Sequence, residues 1–575
     1  MKNLLCRMTL TLTVLAFAAH ALAADHVFDS SFDDHSEGPH SDADAARFLT
    51  QATFGPTLAE IARLRAIGYN AWLADQAALP ASHERQYMED QEAAGLNVYQ
   101  NSRQEVWWLN AISGPDQLRQ RVAFALSEIL VVSDQSGAIE GQPIAMANYY
   151  DLLIDNAFGN YRNLLEQVTL NPVMGRYLSM FKNRKPDLAE NIRPDENYAR
   201  EIMQLFSVGL VQLNANGQTV LVGGQPVPTY NQDTIRGFAH VFTGWNWANC
   251  PRTNGGQWWE WEWCPPGAVD WPNPGWNASW FLPMQAWEDY HASAEDKQLL
   301  IYPGVSLPSG LLLGGGTAAG DLQAALDNIF NHPNVAPFIA RHLIKRLVTS
   351  NPSPAYIGRV AAVFANNGLG VRGDIGATVR AVLMDTEARH LPSLSSHGGK
   401  LREPLLRQTH LWRAMHARAD DGRYREWYPE YSLGQAALRS PSVFNFFLPD
   451  YSPPGELYNL GLTAPEFQIT TDTSIASVAN TLEAKTFWYW RGNSWNDPED
   501  VVIDLDDELP FANDPVRLID RYDLLFMNRT MSDFMFNTLV TYVQNMDNND
   551  IEDRRQRVQD AIWLIQTSPE YVIER

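Results

Sequence analysis

Apolar residues recur at helical spacing through most of the chain from Ala45 onward. Leu58, Ile61, Leu64 and Ile67 share one face of a segment that Pro56-Thr57 opens and Gly68 stops. Pro115-Asp116 opens a second, carried by Val122, Ala125, Leu126, Ile129 and Leu130. Proline in a first turn with an acid beside it suits a helix N-terminus. After residue 320 the signals come in series. Asp321 starts one predicted helix, Asn334 another to about Val348, Pro354 a third, and Gly373-Asp374 a fourth through Ile375, Val379 and Val382. The stretch from Asp514 to Ile573 reads the same way. Few segments alternate with period two, so the expected fold class is mainly α, a multi-helix globular protein. A solenoid is not supported, because no repeat of about 34 or 40 residues is present.

One region breaks this pattern. Residues 245–287 hold ten of the nineteen tryptophans beside six prolines. At its centre Trp259, Trp261 and Trp263 alternate with Glu260 and Glu262, as in a strand. Cys250 and Cys264 bracket that centre. The expectation is an irregular or β insertion between helices, tied by a Cys250–Cys264 disulfide, with two unpaired thiols as the alternative. Its indoles either form a small core or stand exposed as flat platforms for sugar rings.

Composition and charge then narrow the function. The 575 residues carry a formal charge of −24, and −26 once Lys2 and Arg7 leave with a leader. No basic footprint for a phosphate backbone is present, so nucleic acid is not an expected partner. Residues 1–23 read as a secretory signal: Lys2 and Arg7, an apolar run from Leu10 to Ala19, and Ala21-Leu22-Ala23 as a cleavage site. That run is too short to span a bilayer, which takes about 20 residues. An exported protein, periplasmic or extracellular, is expected. Residues 24–45 are acidic and read as a flexible tail. The remaining chain divides into a helical region over 46–244, the insertion over 245–300, a second helical region over 301–490, and acidic loop and helices over 491–575.

Candidate chemistry centres on two predicted helices. In the one opened by Pro194-Asp195, Tyr198, Ile202, Leu205, Phe206 and Gly209 form the apolar face. Glu201 lies on its flank with Asn197 one turn back, while Glu196 and Arg200 can pair along the surface. A partly buried Glu201 is a candidate general acid or base, or a packing ion pair with a neighbouring arginine. In the helix capped by Asn231, Asp233, Arg236 and His240 share the polar face before the chain enters the insertion at Trp245. The candidate catalytic set is Glu201, Glu196 and His240. The candidate ligand-binding set is Asn197, Arg200, Asp233, Arg236, Trp245, Trp259, Trp261, Trp263 and His291. No cofactor or metal is called for: Gly314-Gly315-Gly316-Thr317 lacks a Walker lysine, and Asp504, Asp506 and Asp507 lack an EF-hand pattern.

Six stretches carry a family resemblance. They are Ala46 to Pro56, Asp116 to Ser127, Glu196 to Glu201 with Leu205-Phe206, and Phe242-Thr243-Gly244-Trp245. His332-Pro333-Asn334 with Arg341-His342-Leu343-Ile344, and Pro441 to Phe447, complete the set. Together they resemble the bacterial family known as domain of unknown function 1800. The sequence departs from it at His240, where an arginine is expected, and at His291-Ala292, where a His-Asp pair precedes the lysine. The resemblance implies an exported protein, often encoded beside an exported family that looks like phosphatases and sulfatases. The function expected is action on carbohydrate or a glycoconjugate through an acidic, aromatic cleft, as enzyme or as binding protein. The alternative is a non-catalytic scaffold or partner of that phosphatase- or sulfatase-like protein. Non-reducing peptide mapping of the mature protein is expected to find Cys250 linked to Cys264; two free thiols would overturn the disulfide.

Overall fold

Helical periodicity becomes helix almost wherever it occurs. In a computed structural model describing residues 38–248, 278–392 and 398–575, the protein is mainly α. Among the described residues the strands are two residues long and pair only as four short antiparallel ladders. Cys250, Cys264, Trp259, Trp261 and Trp263 lie outside the described residues.

Side-chain caps set many of the starts. Thr57, Asn231, Thr317, Ser353 and Asp374 each accept a backbone N–H from the first turn of the helix that follows. Gly68 stops the first predicted segment as expected: its φ of +78° kinks the helical run Leu58–Ala78. The acidic tail is corrected at its end. Ser41 and Asp44 form a capping box that starts the helix Asp42–Ala52, and Ala45, Ala46 and Phe48 are buried.

Two acids read as helix starters act elsewhere. Asp116 precedes the helix Gln117–Ser127 but does not cap it. Its carboxylate accepts from the Ser82 N–H at 3.0 Å and the Ser82 hydroxyl at 2.7 Å. That helix ends at Ser127, so Ile129 and Leu130 continue the core beyond it. Asp321 lies inside the helix Ala318–Phe330, whose cap is Thr317. The predicted helix after Pro194-Asp195 begins only at Asn197 and runs to Gln204.

A single hydrophobic cluster runs from Ala45 to Tyr571, so the helical segments share one core. The N-terminal helix Asp42–Ala52 packs on the helix Pro515–Met527. Gly55 approaches the helix Pro404–Ala414 so closely that a Cβ there would lie 2.7 Å from the His410 Cα. Arg413 Nε donates to the Gly55 carbonyl at 2.6 Å, and the same guanidinium reaches Ile112 O and Glu60. The root of the insertion also belongs to this core. Trp245-Asn246 pairs with Gln285-Ala286, and Trp245, Trp247, Trp280 and Trp287 are buried. The Trp247 and Trp280 rings meet edge to face at 4.9 Å.

The helix Gln232–Val241 lies against the strand Lys297–Gln298 through Gly237. A Cβ on Gly237 would fall 2.0 Å from the Gln298 carbonyl oxygen, so backbone would have to move. Gly237→Ala is expected to lower stability by about 1–3 kcal/mol, the usual range for overpacking. Denaturant melts check this; an unchanged midpoint would show that the two elements separate freely.

Candidate functional site

The predicted acid–base helix is present, but its residues do different jobs. Arg200 Nη2 meets Glu196 Oε2 at 2.5 Å, as the spacing predicts. Gln232 Nε2 donates to the same carboxylate at 2.8 Å and 3.0 Å, and Arg200 donates to Gln232 Oε1 at 3.1 Å. This partly exposed clamp fastens the Asn197–Gln204 helix to the start of Gln232–Val241. Glu196 is held below the usual carboxylate range: burial opposes this, but Gln232 and Arg200 outweigh it. The Asn197 N–H donates to Asp195 Oδ1 at 2.7 Å, and the motif's Tyr198 is buried with its hydroxyl on Thr169.

Glu201 is half-buried, and its Oε2 is buried without a hydrogen-bond partner. Burial pushes its carboxyl up, with Arg200 offsetting part of the effect. The hydroxyls of Tyr177 and Tyr230 are pushed up to about 12, by burial first and then by the Glu201 charge. His240 does not join this group. Burial lowers its pKa, and the charges that reach it belong to Glu295, Lys297 and His291. Asp233 and Arg236 form an exposed pair at 3.3 Å and leave His240 alone.

Trp245 and His291 are buried in the core, which corrects the expectation that they line a binding cleft. His291 Nε2 lies 3.0 Å from Asp321 Oδ2, and Nδ1 lies 2.9 Å from the Thr243 carbonyl. Both ring nitrogens thus face oxygen atoms of the fold. Lys297 Nζ reaches the same Asp321 oxygen at 2.8 Å. The Thr243 hydroxyl donates to the His240 carbonyl and accepts from the Ala292 N–H. Gly244, at φ +81°, leaves no room for a Cβ, which would lie 2.9 Å from His291 and from the Trp287 carbonyl. This constellation locks the exit of one helix onto the first turn of another.

A larger ionic centre lies deeper. Glu128, Glu403 and Glu466 are buried together with Arg121, Arg346 and Lys400. Lys400 Nζ lies 3.3 Å from Glu403 Oε1 and 3.6 Å from Glu466 Oε1, and donates to the Arg346 carbonyl at 2.9 Å. Arg121 donates to that same carbonyl at 2.8 Å. Arg346 Nη1 stands 3.6 Å from Glu128 Oε1, which also accepts from Asn445 at 3.2 Å. The Arg346 guanidinium covers the Phe447 ring at 4.5 Å. Burial drives the Glu128 carboxyl up to about 8, against the pull of Arg346. Burial also opposes ionisation of Glu403, but Lys400, then Arg121 and Arg346, hold it below the usual range.

Open to solvent, by contrast, is a cleft of about 600 Å³ lined by Arg425, Glu426, Trp427, Lys485, Tyr489 and the segment 497–501. Lys485 Nζ meets Glu426 Oε2 at 2.5 Å and lies 4.9 Å from the centre of the Tyr489 ring. Arg425 pairs with Asp421 at 2.5 Å and approaches Glu499 at 3.7 Å. Trp427 is 40% exposed, and the neighbouring Tyr428, Trp488 and Trp495 are 51%, 61% and 87% exposed. Sequence reasoning missed this cleft. Its signal was the aromatic density of Trp427-Tyr428 and of Trp488-Tyr489-Trp490 beside Asp497, Glu499 and Asp500. Among the described residues, no group of three or more His, Cys, Asp or Glu side chains is placed to hold a metal ion.

The model of the family described as protein of unknown function, DUF1800, matches residues 47–573. The chain belongs to the DUF1800 family. No curated protein and no solved structure matches it. The stretches that carry the family likeness are largely interior. Arg121 and Asn445 enter the ionic centre, and Gly55, Thr243 and Gly244 make the close contacts. Asn334 holds the loop 208–213 through the carbonyls of Val208 and Val211 and the N–H of Leu213. These DUF1800 stretches therefore build the fold, whereas the open cleft lies at positions outside them.

The ionic centre sets a pH dependence. Glu128 has a folded pKa of about 8, above its ordinary 4.5, so between these values the folded protein holds more proton than the unfolded chain. Its contribution is complete below about pH 4.5 and is lost as pH climbs toward 8. Glu128→Gln is expected to flatten the fall in stability over that window and to raise stability above pH 8 relative to the parent. Denaturant melts from pH 5 to 9 check this. Parallel curves for the two proteins would mean that Glu128 is already ionised in the fold.

Proposed function

We propose that this DUF1800 protein is exported and binds a glycan in the cleft between Trp427, Tyr489 and the segment 497–501. The observation that carries the reading is an open polar cavity whose lining includes two aromatic rings, Trp427, which is exposed, and Tyr489. Indole and phenol faces suit the apolar faces of sugar rings. Glu426, Glu499, Arg425 and Lys485 offer paired donors and acceptors to hydroxyl groups. A signal-like first 23 residues and the acidic charge support export.

Binding is favoured over hydrolysis. Glycoside cleavage needs two carboxyl groups in distinct environments, one of them desolvated and protonated. In the cleft Glu426 is neutralised by Lys485, and Glu499 is largely exposed. Glu201, the desolvated acid expected from the sequence, stands with Tyr177 and Tyr230 and shares no contact with His240.

Intrinsic fluorescence during titration with a panel of polysaccharides tests the proposal. At least one glycan is expected to quench, and Trp427→Ala with Tyr489→Ala is expected to weaken it several-fold, at about 1 kcal/mol per stacked ring. A response only to the neighbouring phosphatase-like protein would replace glycan binding with the scaffold reading. Silence toward the whole panel would overturn the assignment.

A further inference from the structure

A second cavity has a different chemistry. About 310 Å³ in volume, it is walled by Phe467, Ile469, Ile475, Val478, Val572 and Ile573. Two guanidiniums, Arg402 and Arg407, also line it. They differ in how well they are matched. Arg402 donates to the Tyr571 carbonyl at 2.9 Å and has Glu574 at 3.7 Å. Arg407 donates through Nη2 to the Gln566 carbonyl at 2.8 Å, while its Nε is buried with no hydrogen-bond partner. No carboxylate among the described residues pairs with Arg407 within salt-bridge distance. Burial, with the Arg402 charge adding to it, pulls the Arg407 guanidinium below its ordinary value.

A half-buried cation beside an aliphatic wall is costly unless something neutralises it. The placement is the more pointed in a protein of net charge −24, where carboxylates are plentiful and most arginines have one. A carboxylate matches a guanidinium fork in two parallel hydrogen bonds. The cavity, at roughly 30 Å³ per small non-hydrogen group, admits about ten such atoms. The exposed Ile475 stands among its lining residues, so the cavity reaches the surface.

We propose that this cavity binds a free medium-chain aliphatic carboxylate, head group on Arg407 and chain along Ile469, Val478 and Val572. The site is independent of the glycan cleft and is built from other segments of the chain. Octanoate is the probe, with octylamine and 1-octanol as comparators of equal chain length. Calorimetric titration of the full-length mature protein at pH 7 is expected to show saturable octanoate binding and at least tenfold weaker binding of both comparators. Arg407→Gln is expected to weaken octanoate at least tenfold and to leave octanol unchanged. Ala479→Trp, which places a large ring at a small lining residue, is expected to abolish binding while the unliganded protein melts close to the parent. If Arg407→Gln does not fold, the comparator series and Ala479→Trp decide the matter. Failure to bind octanoate, octanol binding as tightly as octanoate, or binding untouched by Ala479→Trp would each overturn the proposal.

Discussion

Burying three carboxyl groups with three cations is the constraint on which the rest of the fold depends. Each loses its hydration: burial pushes Glu128 and Glu466 toward the neutral form, whereas Lys400, Arg121 and Arg346 hold Glu403 ionised, and removing a cation from beside it costs about 3–5 kcal/mol because that charge is stranded. Glu128 ends one helix, Arg346 sits in the last turn of another, Lys400 opens a two-residue strand, Glu403 precedes the helix Pro404–Ala414, and Glu466 lies in a 3₁₀ turn. None of these elements can shift without exposing or orphaning a charge. The Arg346 carbonyl is the common acceptor of Arg121 and Lys400, so the centre also fixes the backbone where that helix ends. The C-terminal ladder of Lys400-Leu401 with Ile573-Glu574 is registered against the same point.

A second, smaller lock works between the helices Gln232–Val241 and Ala318–Phe330. Asp321 accepts from His291 and Lys297 at once, and His291 passes the constraint to Thr243. Gly237 and Gly244 let backbone approach on either side of it. The two locks share a design: a side chain that would ordinarily cap or solvate is instead spent on a tertiary partner. That is why the family stretches are rich in polar residues and yet mostly interior.

The same fact decides what could be read from the sequence. Helix starts were legible where the capping side chain serves only its own helix, as at Thr57 and Asn231. At Asp116 the start is where the spacing puts it but the carboxylate answers to Ser82, and at Asp321 the start is misplaced by a turn, its carboxylate answering to His291 with Lys297. Local spacing cannot reveal a partner that the fold brings from a distant segment. The Glu196–Arg200 pair was legible because it is local, and the addition of Gln232 was not. The open cleft escaped the spacing for a related reason. Its aromatic doublets sit in loops with no period, and only the fold brings 425–427, 485–489 and 497–501 to one opening.

The distribution of chemistry over the molecule follows from this division. Residues that must be matched precisely in charge and shape are used up in holding helices together, so the interior has little spare reactivity. Glu201 is the exception on the flank of a helix, and its neighbours are tyrosines rather than an acid–base partner. What remains at the surface is an ion-paired cleft lined by Trp427 and Tyr489, and an arginine without a carboxylate beside an apolar cavity. Each offers apolar contact area next to charge, while the matched ionic groups of the interior are committed to one another.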